Sequence, residues 1–347
     1  MKRDSLKRTL ILLIIALAIC ASVFLPLPYY IEKPGSTIEL KDLITVNDKK
    51  DQEDGSFSLT SVGVQQASVV TAIKAKISPF EELVSEEDLF GGASGEEYDQ
   101  MQNYYMESSQ NAAIQQALKL ADRPYNFEYK GVYVMNVMEN SSFNGKIDVG
   151  DTVTKVDGKS FDNNQDFMDY VQQKSVGNKV KVTYEHNDKT KKASGKLVEL
   201  PSNKKAGIGI TLVDHTDITA KDDIDFDVED IGGPSAGLMF TLEIYEQLTE
   251  QDLRKGKDIA GTGTIDNEGK VGRISGIDKK VASADEADTQ IFFAPNDTIS
   301  KKALKKNPDL KSNYQEAKEA AANLDTDMKI VPVKTLQDAI DYLKQMD

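Results

Sequence analysis

Residues 10–25 run for sixteen positions without a charge, and only Cys20 and Ser22 break their aliphatic pattern. Lys2, Arg3, Lys7 and Arg8 precede the run, while Pro26, Pro28, Tyr29 and Tyr30 close it. At about 1.5 Å of rise per residue, a helix over 9–28 covers the roughly 30 Å hydrocarbon layer of a bilayer, with prolines to stop it and tyrosines at the interface. The reading is a cytoplasmic basic tail and transmembrane anchor over 1–30. The basic flank stays cytoplasmic, so the remainder lies outside the cell membrane as the ectodomain of a single-pass protein. A cleaved signal peptide is the competing reading, because Ala16 and Ala18 form an A-x-A pattern, but a cut in mid-run would leave an apolar terminus. Lipid attachment at Cys20 is disfavoured by the bulky Ile19 before it. A buried core helix is disfavoured by the basic flank and the lack of a polar face.

The ectodomain is composed as a soluble protein. With 39% hydrophobic and 29% charged residues, the 347-residue chain has room for two or three packed domains. Acidic residues outnumber basic ones 57 to 42, for a formal charge of -15, and that field repels polyphosphate, which excludes a general nucleic-acid binder. One cysteine excludes an intramolecular disulfide and a thiolate zinc cluster, and two histidines leave little for a His-rich site, so no metal is expected. Gly158, Lys159 and Ser160 look like the end of a phosphate-binding loop, but Val153 stands where its first glycine must be. No nucleotide or other cofactor is expected.

Three blocks follow the anchor. The first, 35–124, has β-like pieces at 56–62 and 67–77, an acidic loop at 81–98 and a helix at 106–121. The second, 125–200, reads as a small β-rich module with strands at 132–137, 152–156, 179–184 and 195–200 and a short amphipathic helix carrying Phe167, Tyr170 and Val171. Its Gly131, Val132, Tyr133, Val134 run, with Val149, Gly150, Asp151 and Val156, Asp157, Gly158, resembles a PDZ domain. That resemblance implies a groove in which a peptide adds as a strand, expected here at Gly131, Val132, Tyr133 and Val134. A module that only spaces the chain is the alternative.

The third block, 203–347, opens with a strand at 207–213 and reaches Gly232, Gly233, Pro234, Ser235, Ala236 and Gly237. Two glycines and a proline mark a sharp turn into a helix, whose apolar stripe Leu238, Leu242, Tyr245 and Leu248 buries one side and fixes Ser235 at the tip. The positive end of a helix favours the alkoxide or oxyanion of acyl transfer, although a serine there is more often a cap. A nucleophile needs a base. His186 and His215 have no compelling context, whereas the helix at 277–287 has an apolar face of Ile277, Val281, Ala284 and Ala287. At about 100° per residue Lys280 falls inside that face, and Lys279 points roughly 145° away, toward water. Burial lowers a lysine pKa toward roughly 7 or 8, which makes Lys280 a usable base; a lysine that covers the face with its stem and reaches solvent is the alternative.

Gly233, Pro234, Ser235, Ala236, Gly237, then Gly261, Thr262, Gly263, then Gly276, Ile277, Asp278, Lys279, Lys280, with 45 residues from serine to lysine, resemble the proteolytic domain of Lon-type peptidases. The resemblance implies Ser235 as nucleophile, Lys280 as base, and Thr262, Gly233 and Pro234 as supporting residues. Many relatives carry an aspartate where Gly232 stands, and Lon proteins proper carry an ATPase that this sequence lacks. Anchor, PDZ domain and Lon-type domain together are similar to the SepM/YlbL-like membrane-anchored peptidases of Gram-positive bacteria. Residues 106–110 also resemble an early helix of the Lon fold. The expected fold is therefore an α/β (α+β) Lon-type domain formed by 35–124 and 203–347, with the β-rich PDZ domain inserted and one N-terminal transmembrane helix. The implied activity is an ATP-independent serine endopeptidase acting on exported peptides or membrane-proximal proteins. The alternative is a catalytically silent PDZ receptor or adaptor at the membrane; substrate identity and oligomeric state stay open.

Overall fold

The computed structural model describes residues 7, 10–14, 22–228 and 231–346. Residues 9 and 15–21 of the expected span at 9–28 fall outside them, and among the described residues no helix is long and apolar enough to cross a membrane.

The chain first lays down strands β1 (Tyr29–Glu39) and β2 (Ser56–Gln66), helix α1 (Val69–Ala75), strand β3 (Glu82–Ser85) and the long helix α2 (Gly95–Leu120). A β-rich module follows with β4 (Tyr125–Val137), β5 (Thr152–Val156), α3 (Asn164–Gln172), β6 (Lys179–His186), β7 (Lys189–Lys196) and β8 (Ile210–Ala220). The last part holds α4 (Gly237–Thr249), β9 (Asp258–Gly261), α5 (Ile277–Glu286), β10 (Ile291–Pro295), α6 (Asn313–Leu324), β11 (Lys329–Val333) and α7 (Leu336–Gln345).

Strands from both sides of the module join one six-stranded sheet in the order β11-β10-β9-β2-β1-β3. The junction is β2 against β9, parallel, with Phe57 opposite Ile259 and Leu59 opposite Gly261. The module is thus an insertion in a single α/β domain. Helices cover both sheet faces, so β10 reads Ile, Phe, Phe, Ala with no polar alternation. Phe293 turns to the core of α2, α4 and α7, with Met106, Ala117, Leu242 and Ile340, while its neighbour Phe292 packs with Val281 of α5 and Ala317 of α6.

The module is a second sheet, β8-β4-β5-β6-β7, with a core of its own that includes Val134, Phe143, Val153, Val182 and, from α3, Phe167 and Val171. Its edge strand β8 includes most of the 207–213 stretch expected to open the third block, so the module's sheet continues past residue 200. Residues 67–77, expected as β-like, hold α1 instead. Val69, Val70 and Thr71 favour strands, but Ser68 and Thr71 close a capping box that starts a helix. Helix α2 likewise begins eleven residues before the expected 106, at a second capping box of Ser94 and Glu97; its first turns are too polar to show an apolar period.

Candidate active site

The Ser235 turn is braced from behind by α2. Gly233 has φ +92°, a conformation that favours glycine, and its N–H donates to the Gln102 carbonyl at 2.9 Å. A Cβ on Gly232 would come within 2.8 Å of the Gln102 Cβ, so the aspartate that the resemblance leads one to expect here has no room. Ser109 Oγ donates to the Pro234 carbonyl at 3.2 Å. In front, the Ser235 carbonyl accepts from Gly263 N–H at 2.8 Å and from Thr262 Oγ1 at 3.1 Å, and Thr262 N–H is itself fixed to Phe293 of β10. The expected supporting residues Gly233, Pro234 and Thr262 therefore hold the backbone of Ser235.

Ser235 precedes the first turn of α4, whose N-cap is Ala236 with no side-chain cap bond. Its hydroxyl points elsewhere, to the Lys280 amine, with Nζ to Oγ at 2.8 Å. Lys280 Nζ also donates to the Thr60 carbonyl of β2 at 2.7 Å, and the residue is 4% exposed, with no carboxylate paired to it among the described residues. Burial alone pulls its pKa down to about 7. Serine and neutral amine thus sit side by side on separate rigid elements, α4's leading turn and α5. A cleft of about 910 Å³ opens in front of them, with Val62, Val64, Tyr98, Tyr105, Met106 and Ile274 among its lining residues. Strand β9 stops opposite Leu59, so from Thr60 onward β2 has a strand neighbour on the β1 side only.

Two expectations need correction. Lys279 does not face water: it is 3% exposed and pairs with Glu82 of β3 at 3.1 Å, Asp278 at 3.6 Å and Glu32 of β1 at 4.0 Å. The β1–β3 edge of the sheet covers the flank of α5 opposite the apolar stripe, so Lys279, Ala282 and Ser283 are buried as well, while Ala287, expected on the apolar face, is exposed just past the helix end. Burial raises the pKa of Glu32 while the Lys279 charge opposes the rise. Lys279→Ala should therefore lower thermal stability, by about 1–3 kcal/mol, because it strands a half-buried carboxylate. Thermal melts and cleavage rates together check this; an unchanged melt would return Lys279 to the role of a solvated surface charge.

The second correction concerns the peptide-binding strand. Gly131, Val132, Tyr133 and Val134 lie in β4, an interior strand paired with β8 on one side and β5 on the other, and Val132 and Val134 are fully buried. No peptide can add there. The sheet's free edge beside α3 is β8, which the glycine turn 207–209 introduces. Gly209 O accepts from Met138 N–H next to β4, whereas Asp214 O accepts from Tyr104 OH and Thr216 O from Asn111 Nδ2, both on α2. Alternation along the strand then turns the backbone N–H and C=O of Ile210 and Leu212 toward the open edge, while their side chains pack against the module's core. Helix α2 thus holds the Ser235 turn through Gln102 and Ser109 and the module's edge strand through Tyr104 and Asn111. Gln102 gave no sequence signal for this role. His186 and His215 bond within the module, to Asp151 and Thr152.

Among the described residues, two groups each bring three potential metal-ligating side chains together. In one, Asp151 is already engaged by His186 and by Asp148 N–H; in the other, Arg254 fills the space between Asp51, Glu243 and Glu246.

Comparison with known proteins indicates what kind of domain carries this apposed serine and buried lysine. Residues 227–345 match the family model of the Lon protease (S16) C-terminal proteolytic domain, and residues 106–197 match that of the PDZ domain. A Lon protease of Xanthomonas oryzae pv. oryzae is 28% identical over 109 residues, 31% of this chain and 11% of that protein, so the chain spans about a tenth of that relative. Among solved structures, the PDZ domain of the SdrC-like protein from Listeria monocytogenes is 42% identical and covers 25% of this chain and 90% of its own, with a TM-score of 0.24. Its counterpart from Listeria innocua is 41% identical over 24% of this chain and 96% of its own, also with a TM-score of 0.24. The two matches lie one after the other along the chain, an order consistent with a PDZ-containing Lon-type peptidase.

Proposed function

We propose that the protein is an ATP-independent, membrane-anchored serine endopeptidase in which Ser235 is the nucleophile and Lys280 the general base. The observation that carries this reading is the 2.8 Å contact between Ser235 Oγ and an amine that burial keeps near pKa 7. Neutral Lys280 takes the hydroxyl proton as Oγ attacks the scissile carbonyl, and the amino end of α4 favours the charge that develops on the carbonyl oxygen. Collapse of the tetrahedral adduct breaks the C–N bond, and the lysine ammonium returns its proton to the leaving amine. Water then hydrolyses the acyl-enzyme with the same lysine as base. The one-sided stretch of β2 from Thr60 suits an extended substrate held along the cleft.

The charge-free run at 10–25 supports anchoring, with the peptidase outside the cytoplasm acting on exported peptides or membrane-proximal proteins. The PDZ module delivers substrate through the open stretch of β8. Leu212→Pro removes an outward N–H from an edge strand, where proline is tolerated, and should raise KM for a full-length substrate severalfold while leaving kcat on a short peptide nearly unchanged. Equal losses on both substrates would show that the module shapes the Ser235 site instead of delivering to it.

The test of the function itself is to incubate the full-length protein with secreted peptides and read cut sites by mass spectrometry. Cuts made by the wild type and absent from Ser235→Ala support the peptidase; no cuts by either point to a silent receptor.

A further inference from the structure

Helix α1 is built inside out for a protein in water. Its inward side is small, with Ala67 and Ala75 buried, while Val69, Val70 and Ile73 are 41%, 46% and 61% exposed and Ile77, one turn on, is 81% exposed. At about 100° per residue these four occupy one arc of roughly 100°, with Lys76 and Lys74 at its two borders. Lys76 is exposed, and Lys74 is paired with Glu81 at 2.6 Å. The large apolar side chains stay exposed while the alanines pack inward, and an exposed apolar stripe of this kind marks a contact surface.

The chain shows which one. Leu27 N–H donates to Ala67 O at 2.8 Å, Ala67 N–H donates to Tyr29 O at 2.8 Å, and Leu27 packs against Ile31, Ala67 and Ala75. The stripe therefore begins beside the point where the apolar run 10–25 joins the folded domain, and Phe24 and Leu25 are 78% and 61% exposed there. An apolar stripe bordered by lysines and continuous with a bilayer-length apolar run has the chemistry of an interfacial helix.

We infer that Val69, Val70, Ile73 and Ile77 seat the domain on the lipid bilayer as a second contact, next to the anchor; this rests on the anchored reading above. Eight residues separate Ser68 from Thr60, whose carbonyl holds Lys280, and at about 3.4 Å per residue that is at most about 27 Å. A domain seated this way cuts chains close to the membrane surface, which narrows the substrate class to segments near a membrane exit or a membrane span.

The test uses the full chain with Cys20→Ser, reconstituted in vesicles of phosphatidylcholine and phosphatidylglycerol. Ile14→Cys, Ile73→Cys and Lys192→Cys are each labelled with a polarity-sensitive fluorophore, and lipids carrying nitroxide quenchers on their acyl chains are added. Quenching at position 73 should be at least about twofold, with a blue shift, against none at 192 on the exposed module hairpin. Quenching at 14 with none at 73 overturns the bilayer contact and leaves the anchor intact. Quenching at 73 with none at 14 keeps the contact and removes the anchor, and no quenching at either position removes both.

Discussion

Lys280→Met is expected to abolish cleavage and to raise the melting temperature. Activity should fall by at least about 10³-fold, because nucleophile and base act as a unit, and Ser235→Ala should fall as far. The gain in stability follows from the same burial that makes the lysine useful. Its folded pKa of about 7 lies below its ordinary value of 10.5. Between those two values the unfolded chain binds a proton that the folded chain does not, so stability rises with pH across that window, and at neutral pH and below the amine opposes folding in full. Methionine has similar length and no charge to desolvate. Cleavage assays and thermal melts on the same variant check both effects; a Lys280→Met protein that melts lower than wild type would mark the lysine as a structural element.

Arg254→Met is expected to produce the largest loss of stability. Arg254 is fully buried at the far end of α4, where its guanidinium meets Asp51, Glu246 at 3.0 Å and Glu243 at 3.9 Å. Glu246 is fixed further by the N–H of Leu253 at 2.6 Å, and Glu243 accepts from Gln247 at 2.8 Å. Burial pushes Glu243 up to about 8 and Glu246 up to about 7, with Arg254 opposing the rise in both. Removing the one cation that contacts these acids among the described residues strands buried carboxylates, which costs about 3–5 kcal/mol and lowers the melting temperature by roughly 10 °C. The pH dependence has a definite sign. A carboxyl whose folded pKa is raised costs nothing while it stays protonated and opposes folding increasingly as pH climbs from its ordinary value through the raised one. The deficit of Arg254→Met should therefore be smaller at pH 5 than at pH 8. Equal deficits at both would mean that the loss comes from packing against Phe57 and not from charge.

The sequence carries the site where local chemistry is strict. A Gly, Gly, Pro, Ser turn entering an apolar helix has few conformations, and helical phase puts Lys280 on the side of α5 that the sheet buries. Phase says nothing about what covers the opposite flank, and this is why Lys279 looked solvated: Glu82 arrives from a strand 197 residues earlier. The groove strand was misjudged for a related reason. Val132 to Val134 looks like a strand, but which strand forms the edge depends on β8 returning to pair outside β4, a non-local pairing with no signature in either segment. Gln102, Ser109 and the Arg254 cluster are held by partners far along the chain, and their residue types are ordinary at the surface of any helix.

The most direct measurement is the rate at which a small fluorophosphonate modifies the full-length protein as a function of pH, followed by intact mass and peptide mapping. The account predicts one adduct, on Ser235, forming at a rate that rises with pH through an apparent pKa near 7 as the Lys280 amine loses its proton, and that is lost in Lys280→Met. An adduct on another residue, or a Ser235 rate that is flat from about pH 5 to 9, would contradict it.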